Sequence, residues 1–105
     1  MSGVRIPDLA RRQTASEQAF DLLGHEIAGE MASALGRAGR QVELAIARLE
    51  ALPDGSPDRD MVLKAAAKAV HGYFIQRELC GMRRHDAAIR DYRIPRSVLA
   101  RLGAS

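Results

Sequence analysis

Apolar positions recur at intervals of three and four residues along the first half of the chain. The spacing averages close to 3.6 residues, the period of an α-helix, so these side chains share one helix face. The stripe consists of Phe20, Leu23, Ile27, Met31, Leu35, Ala38, Val42, Ala45, Leu49 and Leu52. The pattern predicts one long amphipathic helix.

The predicted start of this helix is marked by Thr14 and Glu17, which have the spacing of a capping box. In that motif the hydroxyl accepts a hydrogen bond from the amide three residues on, and the carboxylate there accepts one from the amide of the cap residue. We therefore expect the first helix to cover residues 14–52, after an N-terminal arm of residues 1–13.

A strong turn signal follows in the sequence Pro-Asp-Gly-Ser-Pro at residues 53–57. Ser56 followed by Pro57 is typical of a helix N-cap and first helical position. A turn of residues 53–56 then leads into a second helix over residues 57–80, with Gly81 as its stop. Two helices joined by so short a turn run antiparallel.

The remaining pattern, residues 84–103, predicts two short helices. One covers Asp86 to Tyr92, and Pro95 opens the other, for which Gly103 is a natural stop. The predicted fold is all-α and forms a single domain over residues 1–105. It is a long antiparallel helical hairpin with the two short C-terminal helices packed on its open end.

The first helix is longer than the second, so its beginning is left without a neighbour in the hairpin. Phe20 and Leu23 lie in this overhang. An apolar stripe of that length is not left in water, so either the C-terminal helices or a second chain must cover it. We expect some of both, with a second copy of the chain as the partner in a homodimer.

Two glycines predict a close approach between the helices. Counting from the turn, Gly36 falls opposite Tyr73, and Gly39 falls opposite Val70 or Phe74. Glycine is costly inside a helix, and room for large neighbouring side chains would explain this choice. The same count brings Arg77 near Glu30, which predicts a structural ion pair.

Composition narrows the compartment and the chemistry. The only cysteine, Cys80, cannot form an internal disulfide, and neither a leader peptide nor a membrane span is evident, so we expect a cytoplasmic protein. The two histidines of the second half, His71 and His85, fall on different helices, and no nucleophile motif or Gly-rich loop is present. We therefore predict no catalytic residues, no metal, no cofactor and no enzymatic activity.

The C-terminal region is the basic part of a chain whose formal net charge is +3. Its residues 86–102 resemble a divergent helix-turn-helix, although Arg93 stands where a glycine is usual in that turn. We expect the arginines to form a positive surface at the end of the hairpin distal to the turn. The candidates for contact with nucleic acid or another anion are Arg83, Arg84, Arg93, Arg96 and Arg101.

These observations favour a small helical protein–protein interaction module, with a second copy of itself or another helical protein as partner. A small DNA-binding regulator is the alternative, because the basic tail could meet phosphates. We favour pairing of the arginines with the acidic first helix over nucleic-acid binding. The sequence alone assigns no biological process.

Overall fold

The computed structural model describes the backbone of residues 8–102 and the side chains of residues 17–102. This part of the chain contains four helices and no strand. They are α1 (Asp8–Glu50), α2 (Arg59–Leu79), α3 (Asp86–Asp91) and α4 (Arg96–Leu99). The predicted all-α class, with a helical hairpin followed by two short helices, is confirmed.

The chain divides into two units, residues 1–30 and residues 31–105. The described part of the first unit is helical throughout, from Asp8. Thr14 therefore lies inside α1 and does not open it, because the helix continues toward the N-terminus from the predicted capping box. The predicted stop at Gly103 lies outside the described residues, and the single domain over residues 1–105 stays a prediction.

The second unit has a compact apolar core to which every helix contributes. One side comes from α1, and the opposite side comes from α2, with α3 and α4 completing it. Its buried members are Val42, Ile46, Leu49, Val62, Leu63, Ala66, Ala67, Val70, Tyr73, Ala88, Ile94 and Val98. Small and β-branched side chains dominate this set, so the helices can approach closely.

The turn between α1 and α2 uses the residues that the sequence marked. Gly55 has a φ of 77°, which glycine adopts without a steric penalty. The Ser56 hydroxyl accepts a hydrogen bond from the Asp58 amide at 3.2 Å. The next amide, of Arg59, bonds the Ser56 carbonyl at 3.3 Å, a tight turn that delays the regular helix to Arg59.

Gly81 ends α2 as predicted. Its φ is 90°, and its amide donates to the Glu78 carbonyl at 3.0 Å while the Met82 amide donates to the Arg77 carbonyl at 2.8 Å. This is the Schellman arrangement, which satisfies carbonyls left unpaired at a helix end.

The same arrangement recurs at the end of α3, with arginine in place of glycine. The Ile94 amide donates to the Ile89 carbonyl at 3.0 Å, and the Arg93 amide donates to the Arg90 carbonyl at 3.1 Å. Arg93 has a φ of 53°, in the left-handed region that disfavours a side chain. The turn thus needs the conformation of glycine at this position, although the residue is not glycine.

The C-terminal segment runs back along α2. His85 contacts the last turns of α2, α4 packs on α2, and Arg101 forms an ion pair with Asp60 in the first turn of α2. The prediction of a positive surface at the distal end is therefore wrong for Arg101, which lies beside the beginning of α2. The packing of α4 on α2 brings it there.

Within the described part of the chain, no helix combines the length and apolar character that a membrane span needs.

Candidate functional site

Residues 17–30 of α1, here called the acidic segment, carry large apolar side chains in contact with solvent. The exposed fractions are 77% for Phe20, 52% for Leu23 and 53% for Ile27. These residues are three and four positions apart, so they form one stripe on the helix surface. The stripe predicted from the sequence is present, and this part of it is uncovered in the single chain.

The charge of the acidic segment is one-sided. It contains Glu17, Asp21, Glu26 and Glu30 and no lysine or arginine. At about 100° per residue, Glu17 and Glu26 lie on either side of the apolar stripe, roughly 90° from its centre. The segment therefore presents an apolar ridge flanked by carboxylates, a surface suited to a groove with basic edges.

A groove of that kind lies between α1 and α2 in the second unit. This interhelical groove is open to solvent and has a volume of about 580 Å³. It is lined by Ala34, Arg37, Ala38, Gln41, Ala65, Lys68, Ala69, Gly72, Tyr73 and Gln76. Five of these residues are alanine or glycine, so the groove is shallow and smooth, and long polar side chains stand among them. Arg37 and Lys68 are its charged lining residues.

A second concavity, here called the basic groove, lies between α2 and the turn of residues 100–102 that follows α4. Its volume is about 920 Å³. Lys64, Lys68 and His71 are spaced to share one face of α2, and Arg101 faces them from the other side. Asp60 also lines this groove and forms the ion pair with Arg101, so part of its positive charge is neutralised.

His85 joins the end of α2 to the segment that follows. Its ring stacks on Phe74 with centroids 4.1 Å apart and planes 3° from parallel. The Nε atom of Arg77 donates to Nδ1 of His85 at 3.1 Å, so Nδ1 is unprotonated and Nε2 carries the hydrogen. That Nε2 lies 2.9 Å from a carboxylate oxygen of Glu78 and donates to it.

Phe74, Arg77 and Glu78 are spaced to share one face of α2, which is why a single imidazole touches all three. The Arg77 guanidinium also donates to the Arg84 carbonyl at 3.0 Å. These contacts fasten the loop after Gly81 to the helix, and no nucleophile is among them. Glu30 belongs to the other unit, so the predicted ion pair between Arg77 and Glu30 stays a prediction.

Gly39 provides close packing, as predicted, but chiefly for a residue that the sequence count did not select. A Cβ atom at Gly39 would lie 2.5 Å from the Tyr92 hydroxyl oxygen and 3.4 Å from Cε1 of Tyr73. The two tyrosine rings meet edge to face, with centroids 5.2 Å apart. Gly36 is exposed with open space around its Cα, so its predicted role in close packing is wrong.

Tyr92 is the titratable group that this packing perturbs. Burial raises the pKa of Tyr92 to about 12, and a hydrogen bond with the Tyr73 side chain acts in the same direction. Negative charge on Tyr73, Glu43 and Asp91 would add to the effect. The phenol therefore stays neutral at physiological pH and serves as a packing element.

The five arginines predicted to meet an anion are dispersed. Arg83, Arg93 and Arg96 are exposed, Arg84 lies 3.4 Å from a carboxylate oxygen of Asp86, and Arg101 pairs with Asp60. The helix that would enter a DNA groove is α4, which has four residues. A recognition helix presents several base-contacting residues along its length, and a single turn offers few.

Sequence reasoning missed the interhelical groove, although a signal was present. Small residues recur at helical spacing on both walls, as Ala34 and Ala38 on α1 and as Ala65, Ala69 and Gly72 on α2. Alanine favours helices at any position, so its periodicity indicates only a helix and gives no separate sign of a groove. Among the residues whose side chains are described, no group of three metal-binding side chains occurs.

Comparison with known proteins gives a family and no assigned activity. No curated protein and no solved structure matches the chain significantly. A protein-family model described as a family of unknown function, DUF6665, matches residues 8–105. Because this match includes both units and nearly the whole sequence, the chain belongs to the DUF6665 family.

Proposed function

We propose that this protein is a non-enzymatic, cytoplasmic helical interaction module that self-associates as a homodimer through the acidic segment. The observation that carries the proposal is the exposed stripe of Phe20, Leu23 and Ile27. No cofactor is required for this role.

The energetics support an association at this stripe. Fully burying a side chain such as Leu, Ile or Phe contributes about 1.5–3 kcal/mol relative to leaving it exposed. These three residues are between about half and three-quarters exposed, so covering them supplies part of the free energy that offsets the entropy cost of association. Helices whose apolar face has no neighbour are marginal in water, so the segment itself gains from a partner.

Sedimentation equilibrium at micromolar concentration tests the proposal. We expect a dimer for the wild-type chain and a monomer for the double variant Leu23→Glu with Ile27→Glu, because charge on the stripe opposes its burial. The matched control is Leu44→Glu, on α1 in the second unit, where the side chain is also partly exposed and lines neither groove. A monomeric wild type, or a double variant that remains dimeric, would contradict the proposal.

Nucleic-acid binding is the second candidate function. It is favoured by the exposed Arg83, Arg93 and Arg96 and by the lysines of the basic groove. The short α4 and the pairing of Arg84 and Arg101 with carboxylates argue against it.

Retention on duplex DNA over a series of salt concentrations separates the two candidates. If Arg93 and Arg96 contact phosphates, replacing both by alanine lowers the salt slope by about 2, since each contact contributes roughly 0.9. We expect instead weak retention that these substitutions leave unchanged. Submicromolar binding at physiological salt, lost in the double variant, would make DNA binding the preferred function.

A further inference from the structure

We infer that the interhelical groove of one copy receives the acidic segment of a second copy, and that the exchange is reciprocal. This inference rests on the proposed self-association and identifies the surface that the stripe meets.

The shape of the groove suits a helix. Its walls carry alanine or glycine at Ala34, Ala38, Ala65, Ala69 and Gly72, so an incoming helix can approach both walls closely. Ridges formed by large side chains pack into grooves between small ones when helices associate. Phe20, Leu23 and Ile27 form such a ridge, and they are exposed.

The lengths agree. The α1 wall of the groove extends from Ala34 to Gln41, and the apolar ridge extends from Phe20 to Ile27. Each span is seven helical steps, or about 10 Å at 1.5 Å per residue. The ridge therefore fits along the groove without a large apolar overhang.

The charges are complementary. The acidic segment carries four carboxylates and no lysine or arginine, whereas the described residues lining the groove include Arg37 and Lys68 and no acid. Opposite charge of this kind steers association and fixes the register of an interface. The attraction comes from the summed charges of the acidic segment and of the groove. It therefore adds to the contacts that Glu30 and Arg37 already make.

Reciprocity follows from symmetry. Each copy carries one acidic segment and one interhelical groove, and a two-fold axis lets each segment occupy the other copy's groove. The dimer then contains the same contact twice, and neither contact surface remains open to extend a chain of copies.

A charge-swap experiment tests this pairing. The first variant carries Arg37→Glu and Lys68→Glu in the groove, and the second carries Glu17→Lys, Asp21→Lys and Glu26→Lys in the segment. Alone, each variant sets like charges against each other, and we expect at least a tenfold higher dissociation constant than wild type. Mixed, each segment meets a groove of opposite charge, so native mass spectrometry should detect a one-to-one heterodimer.

A steric variant tests the same surface without changing charge. Gly72 lines the groove and has open space around its Cα, so Gly72→Leu should fold normally yet fill the groove. We expect its dimer dissociation constant to rise at least tenfold. Gly36→Leu is the matched control, because Gly36 has the same open surroundings and does not line the groove.

The outcomes separate this inference from the proposed function. A monomeric wild type contradicts both. A wild-type dimer that depends on Leu23 and Ile27 but tolerates Gly72→Leu contradicts only the groove assignment, as does a failure of the two charge variants to pair. Dissociation by Lys64→Glu with tolerance of Gly72→Leu would assign the segment to the basic groove, since Lys64 lines only that one.

Discussion

The two parts of α1 have the same kind of apolar pattern and different surroundings. In residues 31–50 the stripe is covered, with Val42 0% and Leu49 only 5% exposed. In residues 17–30 every described side chain is exposed, including Phe20. Amphipathic periodicity therefore indicates that a helix face will be buried. Whether it packs on helices of the same chain or on another chain depends on which elements lie beside it.

The largest expected contrast comes from truncating one isoleucine in each part. Ile46→Ala should lower the free energy of unfolding by about 2–5 kcal/mol, because it leaves a cavity in the core. Ile27→Ala should change it by less than about 0.5 kcal/mol in the monomer, as is usual for exposed sites. Urea denaturation below the dimer dissociation constant measures both. Equal losses would show that Ile27 is already buried in the single chain.

The glycines of α1 provide the next contrast. Gly39→Ala sets a Cβ atom against the Tyr92 hydroxyl, and overpacking of this kind costs about 1–3 kcal/mol, which the helix-propensity gain of about 1 kcal/mol offsets in part. Gly29→Ala meets nothing within 4 Å and should stabilise its helix by about 1 kcal/mol, the difference in helix propensity between the two residues.

Removing the Tyr92 hydroxyl identifies the cause of the Gly39 effect. Combining Gly39→Ala with Tyr92→Phe should recover part of the lost stability, because the nearest atom to the new methyl group is then absent. Thermal unfolding of the single and double variants forms the required cycle. Strict additivity of the two substitutions would contradict a clash between these positions.

The sequence predicts the helices better than it predicts their contacts. Repeats of three and four residues, Pro57 and Gly81 locate the hairpin because each acts through local geometry. Counting residues from the turn places Gly36 opposite Tyr73 and Gly39 opposite Val70 or Phe74, whereas in the structure it is Gly39 that lies against Tyr73. The count gives no access to Tyr92, which reaches Gly39 only because the loop held by His85 returns the chain along α2.

Arg93 shows at a single residue how prediction from sequence can fail. Its left-handed conformation supplies the turn geometry that glycine normally provides, so a rule that looks for glycine fails where the geometry itself is present. The interhelical groove was missed for a related reason. Its walls are alanines, which are expected in any helix, and only their juxtaposition across two helices gives them a common role.

The smallest expected contrast concerns alkaline pH, which should act on the core through Tyr92. Its pKa is raised to about 12 in the folded chain, well above the ordinary value for tyrosine, because burial disfavours the phenolate. A raised pKa means that the stabilising contribution is complete below pH 10 and is lost as the pH rises through about 12, since the unfolded chain releases this proton more readily. Stability should therefore fall across that window, and it should fall less steeply in Tyr92→Phe, which has no proton to lose there.

Ile27→Ala, altered only in the acidic segment, should retain the wild-type pH dependence. Chemical denaturation at pH 9, 10, 11 and 12 measures the slopes, and an unchanged slope in Tyr92→Phe would show that another group governs the alkaline transition.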